Sequence, residues 1–398
     1  MPTAVIVDAV RTPGGKRNGQ LSGWHSVDLA ADCLNALVER NDLDPAVVDD
    51  VVMGCVMQAG AQSVNVARNA VLAAGWPEEV PATTIDRQCG SSQQAAHFAA
   101  QAVMAGAHDV VIAGGVEVMS LVPMGASVGD GRFGPPFGPR VRDRYADVGG
   151  LVPQGISAEL IAEKWGLTRE DVDVFGAGSQ QRAARARDEG RFDKEILPVR
   201  EIRRDKETGE IHANGGMVTA DEGIRDDTTV ETLAKLKPAF KPDGVITAGN
   251  SSQITDGASA TLIMTEDRAN QLGLRPRARF HAFALAGVDP VMMLTGPIPA
   301  TQKVLERAKL SLDDIDLIEI NEAFASVVLA WERELHPDMD KVNVNGGAIA
   351  LGHPLGASGT KLLTTLLHEL ERTGGRWGLE TMCEGGGMAN AMVIERLG

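Results

Sequence analysis

The sequence of 398 residues predicts an α/β fold with more than one packed lobe. Short, apolar and often β-branched runs bounded by turn residues are typical of buried strands. They alternate with helical patterns at residues 92–105 and 358–371, which favours sheets covered by helices on their faces. The 45 glycines are spread without a period, which indicates tight turns and close backbone approaches. The predicted strands are residues 4–7, 51–53, 110–113, 317–320 and 392–394.

The net charge and the spacing of the cysteines exclude several classes of protein. A formal net charge of -16 disfavours nucleic acid or an anionic membrane as the main partner, although a local basic patch can still bind a nucleotide. No apolar run reaches the roughly 20 residues that span a bilayer, and the N-terminus lacks the features of a secretory signal, so we expect a cytoplasmic protein. The four cysteines form no Cys-x-x-Cys pair, which argues against zinc, any other metal site and structural disulfides.

A weak internal repeat indicates two related halves. Leu43-Asp44-Pro45 precedes the strand at Val51 much as Leu312-Asp313-Asp314 precedes the strand at Ile318. In each half a further strand, at residues 83–86 and 342–344, then enters a glycine-containing turn and a helix. The intervening region is polar and rich in Arg and Asp, which is typical of a functional insert. We therefore predict a first half over residues 1–120 plus 245–273, an inserted loop domain over 121–244 and a second half over 274–398.

Cys89 is the first candidate for chemistry. It follows a predicted strand and begins a predicted helix, where exposed amides and the helix dipole stabilise a thiolate and lower the thiol pKa. The following Gly90 would let a substrate approach the backbone closely. For an arbitrary cysteine a buried structural role is the better interpretation, but this context favours a nucleophile.

His353 lies in the glycine-rich stretch 352–359, where a neutral imidazole can accept a proton or donate to an oxyanion. Four other histidines are expected to be hydrogen-bonded or to face solvent: His97, His108, His212 and His368. Cys383 begins the stretch Cys-Glu-Gly-Gly-Gly, whose amides can stabilise a thioester oxyanion, although a hairpin with an incidental cysteine fits it equally well. Asn321 follows the strand 317–320 and can position a water or a carbonyl, unless it is a turn residue.

In chain order, the motifs are Cys-Gly-Ser at 89, Asn-Glu-Ala-Phe at 321, Gly-His-Pro at 352 and Cys-x-Gly-x-Gly at 383. Together they resemble the thiolase superfamily, and the similarity runs from Arg11-Thr12-Pro13 to the last strand. The resemblance implies a five-layered αβαβα fold made of two similar halves with an inserted loop domain. It also implies an acyltransferase with no permanently bound cofactor, for which coenzyme A (CoA) and acyl-CoA are substrates. Decarboxylating ketoacyl synthases are similar but use a Cys and two histidines, whereas the third position here is Cys383.

The resemblance also implies roles for individual residues. Cys89 would carry the acyl group, His353 would activate it and Cys383 would act as acid and base. Asn321 would hold a water in one oxyanion site, and the Gly385 amide would serve another. Ordinary loop or core packing remains the alternative for the less specific positions. The implied CoA contacts are Arg225, Thr232, Leu236, Phe240, Ala248 and Ser252, and the implied pocket residues are Gln154, Met293 and Phe324.

One departure from the family pattern bears on the substrate. Acetoacetyl-specific biosynthetic members carry a His-Met pair where this chain has Pro153-Gln154, and Gln154 also replaces the Met usual in degradative members. We expect degradative thiolysis of 3-oxoacyl-CoA with medium, long or bulky acyl groups, including sterol-derived ones, in β-oxidation. The alternatives are a biosynthetic acetoacetyl-CoA thiolase and, disfavoured because all four catalytic positions are present, a non-catalytic lipid carrier. Family members are homodimers or homotetramers, with tetramer contacts expected near residues 121–144, and other β-oxidation enzymes are further possible partners.

Overall fold

The computed structural model describes residues 2–398. Within these residues the chain forms twelve strands and twelve α-helices. The strands are β1 Ala4–Arg11, β2 Gly15–Lys16, β3 Asp50–Gly54, β4 Ala82–Ile85, β5 Val110–Val118, β6 Val199–Arg204, β7 Ile211–Val218, β8 Thr255–Thr265, β9 Ala278–Gly287, β10 Leu317–Ile320, β11 Trp377–Glu384 and β12 Met388–Arg396. The helices are α1 Ser26–Arg40, α2 Val66–Ala73, α3 Ser91–Met104, α4 Pro139–Arg144, α5 Gln154–Lys164, α6 Arg169–Asp188, α7 Val230–Leu233, α8 Glu266–Gln271, α9 Pro297–Ala308, α10 Ala325–Leu335, α11 Ala348–Leu351 and α12 Ser358–Thr373.

The strand pairing repeats itself in the two parts of the sheet. The order is β4-β3-β5-β8-β1 followed by β9-β12-β11-β10, with the short β2 beside β8. In the first part β3 is parallel to β4 and β5, while β8 is antiparallel to β5 and β1. In the second part β10 is parallel to β11, and β12 is antiparallel to β11 and β9. The parts join through only two residue pairs, Val5 with Arg279 and Ile6 with Ala278.

The helices form three layers around these two sheet parts. α1 and α2 cover the outer face of the first part, and α9 covers that of the second with α10 beside it. α3 and α12 pack against each other between the two parts. Three apolar cores correspond to these layers, and the middle one joins α3 and α12 residues to strand residues of both parts. The predicted five-layered α/β architecture is confirmed.

The strand predicted at residues 342–344 is wrong. Val342 forms a single bridge with Ile318, and the chain then turns away at Asn343, whose φ is 45°. The Asn343 side chain occupies the edge of the sheet instead: its Oδ1 accepts from the Ile320 amide at 2.9 Å and its Nδ2 donates to the Ile320 carbonyl at 2.8 Å. A side-chain amide therefore takes the place of a strand where the first part has β4.

The expectation for His97 is also wrong. His97 is only 1% exposed, and its Nε2 has no hydrogen-bond partner within residues 2–398. Its ring packs edge-on against Phe283, with the ring centroids 4.8 Å apart. Burial lowers its pKa to about 3, so the ring is neutral and behaves as an apolar group. His368 does bond as expected, to the Thr364 carbonyl at 2.8 Å.

The region 121–244 carries α4 to α7 and the isolated β6–β7 hairpin. α5 packs on α10, and α6 packs on α10 and α11, so these helices lie against the second part of the fold. The hairpin packs on the first part, whose apolar core includes Val199 and Val218. Across residues 2–398, no helix combines the length and the apolar character needed to cross a membrane.

Candidate active site

Cys89 occupies a tight turn between β4 and α3. The preceding Gln88 has a φ of 49°, an unusual conformation for a residue with a side chain. Several hydrogen bonds close the turn. Among them, the Arg87 amide donates to Ser91 Oγ at 2.9 Å, and the Gly90 amide donates to the Arg87 carbonyl at 3.1 Å. Only 5% of Cys89 is exposed, so the thiol lies in the protein interior at the start of α3.

The expected low pKa of Cys89 is wrong. Burial and the neighbouring Glu384 raise its pKa to about 12, while hydrogen bonds from the Gln154 side chain and the Gly385 amide oppose that rise only partly. Burying a thiolate away from water costs more free energy than the nearby amides and the helix N-terminus contribute to stabilising it. Cys89 is therefore a neutral thiol at rest, and it requires a base when it reacts.

His353 is arranged to be that base. Its Nδ1 lies 2.5 Å from Ser358 Oγ, and this hydroxyl donates its own hydrogen to the Pro354 carbonyl at 2.9 Å. The hydroxyl can therefore only accept from His353, which assigns the ring proton to Nδ1 and leaves Nε2 free to accept one. Burial and the Lys361 charge lower the pKa of His353 to about 3, so the ring is neutral.

The loop before α12 fixes the position of this histidine. The His353 amide donates to the Gln253 carbonyl at 3.2 Å, which ties the loop to the chain just before β8. Gly352 has a φ of 81°, and a Cβ at this position would lie 2.2 Å from Thr255 Oγ1. Only glycine fits this turn, which explains the glycine directly before the histidine.

Asn321 and Cys383 lie behind these two residues. Asn321 directly follows β10, and its Nδ2 approaches His353 Nε2 at 3.4 Å. Cys383 is fully buried near the end of β11, and burial together with Cys89 and Glu384 raises its thiol pKa well above the ordinary range. The four sequence-predicted catalytic side chains thus converge, although only Cys89 and His353 line the neighbouring cavity. The individual roles stay predictions.

A cavity of 530 Å³ opens above Cys89 and His353. Most of the residues predicted to bind CoA or to form the pocket line it: Gln154, Arg225, Phe240, Ala248, Ser252 and Phe324. Thr232 and Leu236 do not. The Thr232 hydroxyl bonds to Thr229 in the cap of α7, and Leu236 packs against Gly249. Phe240 and Phe324 meet edge-on at 5.8 Å in the cavity wall.

Two cationic residues of this cavity were missed by the sequence reasoning. Lys16 and Arg17 line the same cavity as Arg225. Within residues 2–398, none of these three side chains forms an ion pair, although the chain as a whole is acidic. The signal that could have found them is the run Gly14-Gly15-Lys16-Arg17 shortly after β1, because glycines beside cations are typical of loops that bind anions.

A second cavity of 410 Å³ also reaches Cys89. It is largely apolar, and it includes the predicted pocket residue Met293 and the Gly385 backbone. Gln154 lines both cavities and begins α5 directly after Pro153, so its side chain stands between them with a hydrogen bond to the Cys89 sulfur. The remaining lining residues are Val56, Met57, Gln88, Met124, Phe137, Leu151, Val152, Pro153, Pro290, Leu355 and Gly386.

Gly90 is explained by Glu384 rather than by a substrate. A Cβ at Gly90 would lie 2.1 Å from Glu384 Oε1 and 2.7 Å from Asn390 Nδ2. The space beside the residue that follows the nucleophile is therefore occupied by a buried carboxyl group. Sequence reasoning missed Glu384, as it missed Ser358, because neither pattern nor spacing reveals which side chains fill a cavity wall. No cluster of His, Cys, Asp or Glu suited to a metal ion occurs among the described residues.

Comparison with known proteins identifies the family. The family descriptions "Thiolase, N-terminal domain" and "Thiolase, C-terminal domain" match residues 4–267 and 274–396. The chain is 50% identical to the steroid 3-ketoacyl-CoA thiolase FadA6 of Mycobacterium tuberculosis, over all of this chain and 95% of that protein. It is 46% identical to the 3-ketoacyl-CoA thiolase of Aliivibrio fischeri, over the full length of both.

A solved structure shows the same architecture. The acetyl-CoA acetyltransferase of Bacillus anthracis superposes with a TM-score of 0.89 at 40% identity, covering 100% of this chain and 99% of that one. Sequence and fold thus agree along the whole chain. The protein belongs to the thiolase family of acyltransferases, which act on coenzyme A thioesters.

Proposed function

We propose that this thiolase works in the degradative direction, cleaving 3-oxoacyl-CoA whose acyl group is much larger than acetyl, as in β-oxidation of fatty acids or sterol side chains. The observation that carries the proposal is the second, apolar cavity of 410 Å³ on Cys89. An acetyl group needs no such volume, whereas an acyl chain held on the cysteine does. The name of the 50% identical steroid 3-ketoacyl-CoA thiolase supports a bulky acyl group.

The shared cavity of Cys89 and His353 supports the following first half-reaction. The Cys89 sulfur attacks the keto carbon of the substrate, and its proton passes to His353 Nε2. The bond between C2 and C3 then breaks, leaving the acyl group on Cys89 and the enolate of acetyl-CoA. Cys383 protonates this enolate at carbon, and acetyl-CoA departs. A neutral thiol and a neutral histidine suit this concerted proton transfer, because neither charge has to pre-exist in the buried site.

The second half-reaction restores the enzyme. Free CoA enters the first cavity, and the Cys383 thiolate takes the proton from its thiol. The CoA sulfur attacks the thioester on Cys89, and the Cys89 sulfur leaves and recovers its proton from His353. The negative charge that develops on the thioester oxygen needs amide donors, for which the Cys89 and Gly385 amides are the candidates. Asn321 and His353 serve the enolate in the same way.

The charge distribution supports placing CoA in the first cavity. Lys16, Arg17 and Arg225 are the cationic residues of its wall, and CoA carries phosphate groups that such residues bind. The apolar Phe240, Ala248 and Phe324 suit the less polar pantetheine arm. Thr232 and Leu236 remain candidate contacts for parts of CoA that extend beyond the cavity.

Substrate range tests the proposal. Thiolysis rates should increase from acetoacetyl-CoA to 3-oxoacyl-CoA with long or sterol-derived acyl groups. Val152→Trp should fill the second cavity and impair the large substrates at least about tenfold while sparing acetoacetyl-CoA. Val174→Trp is the matched control, because Val174 is 52% exposed and lines neither cavity. If acetoacetyl-CoA were by far the best substrate, the biosynthetic alternative would replace this one.

The region 121–244 is proposed as a separate loop domain, with residues 1–120 plus 245–273 and residues 274–398 as the two halves. The assignment of a loop domain is supported by the number of lining residues that region 121–244 supplies to the two cavities, including Gln154, Leu151 and Phe240. Its exposed apolar side chains support association with further copies of the chain, as a homodimer or homotetramer. These are Met124, Val128, Phe133, Phe137, Val141 and Val148.

Light scattering tests the oligomeric state. Phe133 is 95% exposed, so Phe133→Glu should disturb a copy-to-copy contact without disturbing the fold. An unchanged molecular mass for Phe133→Glu would show that this segment is not part of the interface.

We also propose a cytoplasmic location and contact with other β-oxidation enzymes.

A further inference from the structure

Glu384 is a buried carboxyl group that packing alone does not explain. It ends β11, next to Cys383, and is 0% exposed. Neither of its oxygens has a hydrogen-bond partner within residues 2–398. The buried Glu117, by contrast, is well supplied, because it accepts from the amides of Val56, Met57 and Gly356. A buried polar group without partners is costly, so its presence calls for a role.

Its position ties it to the nucleophile. The carboxyl group fills the space beside Gly90, where a Cβ would lie 2.1 Å from Oε1. Asn390 on β12 also holds this turn, with its Nδ2 donating to the Gly90 carbonyl at 3.0 Å. Glu384 is therefore in direct contact with the turn that carries Cys89. Its charge consequently affects the electrostatic environment of the Cys89 thiol.

The charged and titratable groups around Glu384 are few. The loop before α3 presents Asp86, Arg87 and Cys89, its own strand presents Cys383, and β12 presents only the uncharged Asn390. Burial is the main influence on Glu384 and raises its pKa to about 8, with Arg87 acting in the opposite direction and Asp86 in the same one. Glu384 in turn raises the pKa of both thiols.

We propose that Glu384 is a positioning residue that governs the ionisation of Cys89: the protonated carboxyl permits loss of the Sγ proton, and the carboxylate opposes it. The inference rests on the proposed role of Cys89 as nucleophile. During acylation the Sγ proton passes to His353, and Glu384 keeps its own proton throughout. The two ionisations are therefore antagonistic, and activation of Cys89 is confined to pH values at which Glu384 is neutral.

Alkylation of Cys89 by iodoacetamide measures this directly, with the modified peptide quantified by mass spectrometry across a pH series. In the wild-type protein the logarithm of the rate should rise with unit slope and then flatten near pH 8, where Glu384 ionises. In Glu384→Gln the unit slope should continue through this range. At about pH 9 a group with a pKa of about 8 is about nine-tenths ionised, so the variant should react about tenfold faster than wild type.

Glu380→Gln is the matched control. Glu380 lies on the same strand, is equally buried and also has two unpartnered oxygens, but the charge beside it is Glu319 rather than Cys89. The flattening should persist in this variant. Three results would each overturn the proposal. They are a wild-type profile that does not flatten, a Glu384→Gln profile that still flattens, and a Glu380→Gln profile that loses the flattening as Glu384→Gln does.

Two features keep the outcome clear. If Glu384→Gln does not fold, as judged by circular dichroism, the wild-type and Glu380→Gln profiles still decide, because a wild-type profile without a break contradicts the proposal. Failure of the nucleophile assignment is separate: it would appear as full thiolysis activity in Cys89→Ser, whatever the alkylation profile.

Discussion

The two halves of the fold bring the same structural unit to the site and equip it with different chemistry. In the first half a turn carrying Cys89 enters α3, and in the second a turn carrying His353 enters α12. The two helices pack side by side in the middle layer, so their beginnings meet at one place. A repeated scaffold thus supplies two turns at the beginnings of neighbouring helices, and their side chains have different chemical roles.

The environments of the two turns explain the division. Around Cys89 the partners are the amide of Gly385, the side chain of Gln154 and a carboxyl group, which together hold a neutral thiol. Around His353 the Ser358 hydroxyl accepts from Nδ1 and selects one tautomer, while Asn321 Nδ2 approaches Nε2 at 3.4 Å. The first turn therefore stores a proton and the second accepts it.

Removing the nucleophile of the first half should cause the largest loss of activity. Cys89→Ser should lower thiolysis by roughly 10⁴-fold, because a hydroxyl is a far weaker nucleophile without a strong base. The measurement is the cleavage rate of a long-chain 3-oxoacyl-CoA, together with the protein mass after exposure to acyl-CoA. Cys33→Ala, at another buried cysteine in α1, should retain activity and the acyl adduct. Full turnover in Cys89→Ser would exclude the assignment.

The second half is probed by Asn321→Ala. Loss of one oxyanion donor should lower kcat by about 10²-fold with little change in KM, since the donor acts on the enolate and not on bound substrate. Asn345→Ala is the control, because Asn345 is also buried in the second half but bonds Arg191 and lines neither cavity. An effect confined to KM would show that Asn321 only shapes the binding site.

A smaller effect is expected from Ser358→Ala. Without the hydroxyl, His353 loses the partner that selects its tautomer, and kcat should fall about tenfold, the size expected for one hydrogen bond worth about 1.4 kcal/mol. Thr364→Val removes another buried hydroxyl from the same helix, one that bonds only to the Thr360 carbonyl, and should be nearly neutral. Equal losses in both variants would point to helix stability rather than to the histidine.

The last effect concerns stability and its dependence on pH rather than catalytic activity. His353 has its pKa lowered from 6.5 to about 3, so the folded state resists a proton that the unfolded state accepts. Its contribution is present above pH 6.5 and is lost as the pH falls towards 3, by at most about 1.4 kcal/mol per pH unit. Urea unfolding at several pH values should show wild type losing stability relative to His353→Asn in this window. The exposed His212→Asn should show no such trend, and a pH-independent difference for His353→Asn would contradict the assignment.

The sequence could predict the parts of the molecule that local pattern determines. The alternation of β-branched runs and helices located the layers, and four separated motifs located the site. Three features escaped because they depend on tertiary contacts: the Asn343 side chain that replaces a strand, the high thiol pKa of Cys89, and Glu384 filling the space beside Gly90. A helix N-terminus is visible in sequence, but the burial that outweighs it is not.

The narrow junction between the two sheet parts has a consequence for how the chain can be divided. The family boundary falls between residues 267 and 274, and only two residue pairs of the ladder cross from β1 to β9. Yet α3 and α12 bury their apolar faces in one shared core, with strand residues from both parts. Either half expressed alone would expose that face to water, so the division seen in the sequence is not a boundary of cooperative folding.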